Sequence, residues 1–214
     1  MPLLSTIGQR QQSLLKALLH SSAGLTVDEL ANELAISRNA VNQHLASLEG
    51  NGFVKNTSMS STGGRPSKIY TLTGEGKELF PRHYALFSNL LIRLLKEKMG
   101  EQTLTLYLAE LGSHLADEFK GRMRDKTSLS DRVAELTTIL YELGYEAQLG
   151  KSEAGQHEII ASNCVFHKLA EEFNTVCELD LALMSSVLDG AAVDHLECMA
   201  KGESCCRFVI LDKS

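Results

Sequence analysis

Within its first 83 residues the chain passes through three short helical patterns and then two β-prone segments around a Gly-rich turn, an order that few folds accept. Leu14, Leu15, Leu18 and Leu19 make one apolar stripe along residues 9–20, and Gly24 ends it. Thr26 with Glu29 three residues later spells a capping box that opens a helix through Leu34, with Leu30 and Leu34 as its apolar face. After Ala35-Ile36, Ser37 is a second N-cap, and Val41, Leu45 and Leu48 repeat at i, i+4 and i+7 up to Gly50-Asn51-Gly52. Phe53-Val54-Lys55 and Ile69-Tyr70-Thr71-Leu72 then flank Ser58 to Ser67, which reads as a hairpin with a Gly-rich, basic tip. Two helices joined by a tight turn suit a major groove, and such a hairpin suits a wing beside it. The pattern predicts a winged helix-turn-helix over residues 1–83.

The outer face of the second of those helices, with its cap, offers Ser37, Arg38, Asn39, Asn42 and Gln43. Arg matches the two acceptors of guanine, and Asn or Gln the donor–acceptor pair of adenine. Arg65 and Lys68 on the wing can reach phosphates or a minor groove. A polar outer face is also what any solvated helix shows, so the distribution of charge bears on the choice. Residues 1–83 hold 8 Lys/Arg against 6 Asp/Glu, and residues 84–214 hold 13 against 21, so the net −6 divides into +2 and −8. Over residues 37–70, Arg38, Lys55, Arg65 and Lys68 face Glu49 alone. A small basic module joined to an acidic body follows, with double-stranded DNA as the expected partner.

The chain is 43% hydrophobic and 22% charged, so it folds, and it contains no apolar run of the roughly 18 to 20 residues a membrane span needs. The start, Met1-Pro2-Leu3-Leu4-Ser5-Thr6, lacks the basic and apolar regions of a secretion signal, so a reducing cytoplasm is expected, with no membrane partner. In that compartment free thiols suggest metal or redox chemistry. All five cysteines, Cys164, Cys177, Cys198, Cys205 and Cys206, fall in the last 51 residues.

Between the two ends, residues 75–99 and 101–123 read as long helices broken at Gly100, with Leu79, Leu86, Leu90, Leu91, Leu94 and Leu95 on the first. A reader of two-fold half-sites needs two copies held apart by a rigid element, so residues 84–126 are expected to be a helical dimerisation connector. Residues 127–214 read as an α+β sensor domain: a helix from Ser128 or Ser130 to Leu143, β-like runs at 145–149, 157–161, 193–199 and 206–211, and helical runs at 164–173 and 176–188. The whole is predicted as α+β.

The spacing of the thiols is informative. Asn163 reads as an N-cap that puts Cys164 in the first turn of its helix, and Thr175 with Glu178 as a capping box around Cys177. A helix start lowers a thiol's pKa and favours the metal-binding thiolate. On the last strand, alternation turns Cys206 inward with Phe208 and Ile210, and Cys205 outward with Arg207. The expected ligands are therefore Cys164, Cys177, Cys198 and Cys206, with Cys205 spare. Four thiolates suit tetrahedral zinc or an iron–sulfur cluster. Gaps of 12 and 20 residues between the first three, with no Cys-x-x-Cys knuckle, fit a cluster better. His167, three residues after Cys164, keeps a Cys/His zinc site open, and buried inert or redox-active thiols are the plain alternative.

Two stretches carry a resemblance. Leu25-Thr26-Val27-Asp28-Glu29-Leu30-Ala31, Ile36-Ser37-Arg38-Asn39-Ala40-Val41-Asn42-Gln43-His44-Leu45 and Gly64-Arg65-Pro66-Ser67-Lys68-Ile69-Tyr70-Thr71-Leu72-Thr73 resemble bacterial winged-helix repressors, the SufR-like subgroup in particular. Asn163-Cys164-x-Phe166-His167-x-x-Ala170-x-x-Phe173-x-x-Val176-Cys177, ending in Gly202-x-x-Cys205-Cys206-Arg207-Phe208, is similar to the C-terminal region of SufR-like iron–sulfur regulators. The resemblance implies a homodimer holding one cluster per subunit, 4Fe-4S or 2Fe-2S, whose state sets DNA affinity. Ala191 stands near the place of a third cysteine in that pattern; either Cys198 substitutes or three cysteines ligate with a non-cysteine fourth ligand. The expected function is a DNA-binding transcriptional regulator controlled by an iron–sulfur cluster. The alternatives are a zinc-binding or thiol-redox-sensing regulator and a thiol oxidoreductase. No Walker loop, His-Glu-x-x-His or Gly-x-Ser-x-Gly occurs, so an enzyme is not expected.

Overall fold

A computed structural model describes residues 3–60, 67–151 and 156–211, and the chain divides into two compact units, Met1–His83 and Tyr84–Ser214. In the first unit, Leu14, Leu15 and Leu18 bury one face of α1 (Gln9–His20) against Leu30 of α2 (Val27–Leu34) and Val41, Leu45 and Leu48 of α3 (Arg38–Gly50). The capping box forms: Thr26 Oγ1 accepts from the Glu29 N–H at 3.3 Å, and the Glu29 carboxylate accepts from the Thr26 N–H at 2.7 Å. Ala35, at φ 50°, reverses the chain between α2 and α3, and Ser37 then caps α3 by accepting from the Ala40 N–H. Strands β1 (Leu25–Thr26), β2 (Val54–Ser60) and β3 (Ser67–Leu72) make an antiparallel sheet in the order β1-β3-β2, which closes the winged helix-turn-helix. Gly24 lies at φ +82° beneath β3, where a Cβ would come within 2.6 Å of the Tyr70 carbonyl oxygen, so only glycine fits.

The helix expected from Glu75 is interrupted. A short α4 (Gly74–Glu78) stops before Leu79-Phe80-Pro81, and α5 runs only over Tyr84–Met99. Pro81 has no N–H to donate and disfavours helical backbone in the residue before it. Gly100, at φ +81°, separates α5 from α6 (Glu101–Asp117), and a turn at Glu118-Phe119 precedes the short α7 (Lys120–Met123). Residues 84–126 lie inside the second unit and share its core: Ile92, Leu104 and Leu108 pack with Phe173 and Val176.

The rest of that unit sets α8 (Leu129–Glu142), α9 (His167–Glu172) and α10 (Cys177–Val187) with an antiparallel sheet of β4 (Ala147–Leu149), β5 (Gln156–Ala161), β6 (Val193–Glu197) and β7 (Cys206–Leu211) in the order β4-β5-β7-β6. Its core joins Val133, Leu136, Ile139 and Leu140 of α8, Leu183, Met184 and Val187 of α10, and Ile159, Phe208 and Ile210 of the sheet. Gly112 interrupts nothing: α6 continues through it, because its bare backbone lets α10 approach. A Cβ there would meet the Leu179 carbonyl oxygen at 2.1 Å.

Candidate metal centre and nucleic-acid interface

On α3 and its cap, Ser37, Arg38, Asn39, Asn42 and Gln43 are all exposed, and Lys68 is exposed on β3. Arg38 is engaged within the unit, its guanidinium paired with Asp28 of α2. Arg65 lies outside the described residues. Lys55 on β2 and Lys68 on β3 add positive charge to the hairpin that α3 precedes.

The second unit gathers its thiols from separate elements. Cys164 sits in the loop between β5 and α9, Cys177 is the first residue of α10, Cys198 follows β6 directly, and Cys206 opens β7. Two expected caps are absent. The Asn163 side chain donates to the Gly144 carbonyl at 2.6 Å, tying the loop to the end of α8, so α9 starts only at His167 and Cys164 is not in its first turn. Thr175 lies in a single tight turn over Asn174–Val176 with its hydroxyl buried and unpartnered, so no capping box surrounds Cys177.

Sulfur–sulfur proximity is direct. The sulfurs of Cys177 and Cys198 lie within 4.8 Å of each other, and the Met199 N–H donates to the Cys206 Sγ at 3.4 Å. Cys164 lies close enough for its charge to be felt at Cys177 and Cys206. Cys205 faces the other way: its thiol donates to the Glu197 carboxylate at 3.2 Å, beside Arg207. His167 pairs with Glu171 at 3.3 Å on the surface and takes no part in the thiol group.

Two residues at this site were not legible in the sequence. His195 on β6 has a ring nitrogen that lies, with the sulfurs of Cys177 and Cys198, in a set of ligand atoms all within 4.8 Å of one another. Among the described residues this is the one group of His, Cys, Asp or Glu that could hold a metal ion. Strict alternation puts His195 and Cys198, an odd number apart, on opposite faces. The pairing of β6 with β7 shifts between His195 and Glu197: His195 stays opposite Phe208, while Glu197 moves opposite Arg207 and forms an ion pair with it. That β-bulge restores Cys198 to the inner face with His195. Asp180, the other, is buried three residues after Cys177 on α10 and accepts a 2.6 Å hydrogen bond from the Tyr145 hydroxyl. An acidic residue inside the apolar sequence Leu179–Leu183 was the available signal.

Electrostatics at the site run against the expected helix-start effect. Burial pushes the Cys177 thiol up to about 12, with the Cys198 and Asp180 charges adding to it. Burial likewise raises Cys206 to about 11, aided by Cys198 and Cys164 despite the Met199 N–H bond. Cys164 is raised by burial first, then by Asp180 and Cys198, against a backbone bond at Phe166. Burial lifts Asp180 to about 6, opposed by its bond from Tyr145, and burial holds His195 below the usual histidine range. Desolvation and mutual repulsion outweigh the partial charge of one helix terminus. A cation among these groups reverses both costs, since it stabilises thiolates and needs a neutral imidazole. The donor set and the unpartnered, buried Nε2 of His195 therefore fit a soft metal.

Residues 11–56, from within α1 to within β2, match the model of a helix-turn-helix domain. No curated protein matches the chain. Among solved structures, the phenol-responsive sensory domain of the transcription activator PoxR is 16% identical over 61% of this chain and 74% of its own, with a TM-score of 0.48. A point mutant of S. aureus MepR is 19% identical over 64% and 81%, with a TM-score of 0.33. A trafficking protein particle complex subunit 3 from Naegleria fowleri, covalently bound to palmitic acid, is 12% identical over 61% and 92%, with a TM-score of 0.41. Overlap this loose assigns neither fold nor function. No helix among the described residues is long and apolar enough to cross a membrane.

Proposed function

We propose that the chain is a DNA-binding transcriptional regulator of the SufR-like kind, acting in a reducing cytoplasm by binding rather than by catalysis. Its operator affinity is set by an iron–sulfur cluster held by Cys164, Cys177, Cys198 and Cys206. The observation that carries the reading is that Cys177 and Cys198 come together from a helix start and a β-hairpin, with Cys164 and Cys206 near enough for their charges to bear on them, in a chain that begins with a helix-turn-helix. In this reading residues 1–83 bind duplex DNA, residues 84–126 pair two copies, and residues 127–214 sense.

A cluster supplies an oxidation-sensitive cross-link among sulfurs that otherwise repel one another. The protein's part is to place those sulfurs and transmit their arrangement. Cys177 opens α10, which is seated against α6 at Gly112, so a displacement of α10 must move α6 or open the contact. Ser37, Asn39, Asn42 and Gln43 present donors and acceptors to base edges, Arg38 joins them when it leaves Asp28, and Lys68 and Arg65 neutralise phosphates. Pairing of two copies is supported by the apolar residues left exposed along α5, namely Leu86, Phe87, Leu90 and Leu94. A zinc-type site is the second reading, and the observation that favours it is the imidazole of His195 within the donor group.

The test is anaerobic reconstitution of the full chain with iron and sulfide. Duplexes enriched from a randomised pool then report DNA binding before and after the iron is removed. The reading expects a brown protein with broad visible absorption and a change in DNA affinity of tenfold or more, the scale of a typical coupling of about 1–3 kcal/mol. Colourless protein that takes up one zinc instead selects the second reading. Identical DNA binding with and without metal ends the sensor claim.

A further inference from the structure

The thiol group contains a donor that a count of cysteines overlooks. His195 is not surface decoration: its ring stacks on Phe208 with centroids 4.6 Å apart and planes 22° apart, and Phe208 is among the largest fully buried side chains. The Glu197 backbone lies near the ring, and Nε2 has no hydrogen-bond partner. Nε2 itself is buried, an arrangement that costs free energy unless a partner meets it. A histidine kept only to fill the core would satisfy both nitrogens or yield to an apolar residue. A ring held in place by stacking, with a buried nitrogen left bare, is an arrangement that a metal ion completes.

We propose that His195 is a ligand of the same metal as Cys177 and Cys198, making the centre a mixed imidazole–thiolate site rather than an all-cysteine one. The proposal rests on the second, single-metal reading above and puts an imidazole in the place of one of the four cysteines. The three ligand atoms already lie within 4.8 Å of one another. Around a single tetrahedral ion with N and S ligands at about 2.0 to 2.3 Å, neighbouring ligand atoms stand roughly 3.5 to 4 Å apart. The bulge on β6 puts Cys198 and His195 on one face, and Phe208 holds the ring there. Cys164 or Cys206, each near enough for the Cys198 charge to bear on it, supplies the fourth position.

Cobalt(II) titration of the reduced full-length chain tests this, because thiolate-to-cobalt charge-transfer bands and ligand-field bands count sulfur and nitrogen ligands by colour. The variants are His195→Ala, His195→Cys and His195→Gln, with Cys205→Ser as the control off the site, and far-UV circular dichroism verifies that each folds. The proposal expects His195→Ala and His195→Gln to lose at least about tenfold in cobalt affinity with altered ligand-field bands. It expects His195→Cys to regain affinity with an added thiolate charge-transfer contribution, and Cys205→Ser to match the parent. Folded His195→Ala and His195→Gln with parental affinity and spectrum overturn the proposal while leaving the metal centre standing. Parent protein that is folded and reduced yet binds neither cobalt nor reconstituted iron overturns the metal centre and this ligand together.

Discussion

Asp180 shows how strongly position governs a side chain's chemistry. Its carboxyl is buried on α10 and lifted to about 6 from an ordinary value of 3.8, because burial penalises the charged form more than the Tyr145 hydroxyl stabilises it. A carboxyl whose folded pKa is raised stabilises the fold fully below its unfolded pKa, and that contribution is lost as pH rises through the folded value. Melting temperature is therefore expected to carry a destabilising component between about pH 4 and pH 6. Asp180→Asn, which keeps the shape and removes the titration, should flatten that component in parallel melts across the range. An unchanged pH profile would assign the dependence to other carboxyls. His195 makes the complementary point. Its type was readable, but its role depended on an unpartnered nitrogen that no sequence pattern records.

At the level of helices and strands, local signals succeeded where the backbone's own demands were local. The Thr26–Glu29 box, the Ser37 cap and the inward alternation of Cys206, Phe208 and Ile210 all follow from short-range hydrogen bonding and pleat. The same kind of signal misled at Asn163 and Thr175. Asn163 directs its side chain to the Gly144 carbonyl, nineteen residues away, and Thr175 sits in a tight turn that buries its hydroxyl before α10 begins. A long-range hydrogen bond took one capping group, and the turn left the other without a partner. Gly112 is the converse, a helix interior that looks weak and is required by its neighbour. Gly112→Ala gains about 1 kcal/mol of helix propensity but drives a methyl into the Leu179 carbonyl. Overpacking against backbone costs typically about 1–3 kcal/mol, and more when neither helix can give. A net loss is expected, read as a melting temperature lower by roughly 2–4 °C per kcal/mol at this chain length. A variant that melts at or above the parent would show that the two helices separate freely.

For the molecule as an assembly, the exposed apolar stripe is the main feature that a single copy leaves unexplained. Leu86, Phe87, Leu90 and Leu94 recur at helical spacing along α5 with more than two-fifths of each exposed, which is uncommon on a surface facing only water. In the proposed pairing with a second copy the stripe would become core, and the two helix-turn-helix units would read two-fold DNA sites. Leu90→Glu combined with Leu94→Glu should convert a dimer to a monomer by light scattering coupled to size exclusion. DNA affinity at low protein concentration should fall with it. A double variant that stays dimeric moves the pairing surface elsewhere.

What the amino-acid order settled alone was the succession of elements at the N-terminus, the α+β character of the remainder and the inward direction of Cys206, because caps, turns and periodicity act over a few residues. Which side chains meet around the thiols was settled by folding. A one-residue bulge in β6, a displaced start of α10 and a glycine contact between α6 and α10 bring together groups tens of residues apart. Burial among them, rather than any single helix terminus, then fixes their protonation, since desolvation and charge repulsion depend on neighbours that only packing supplies.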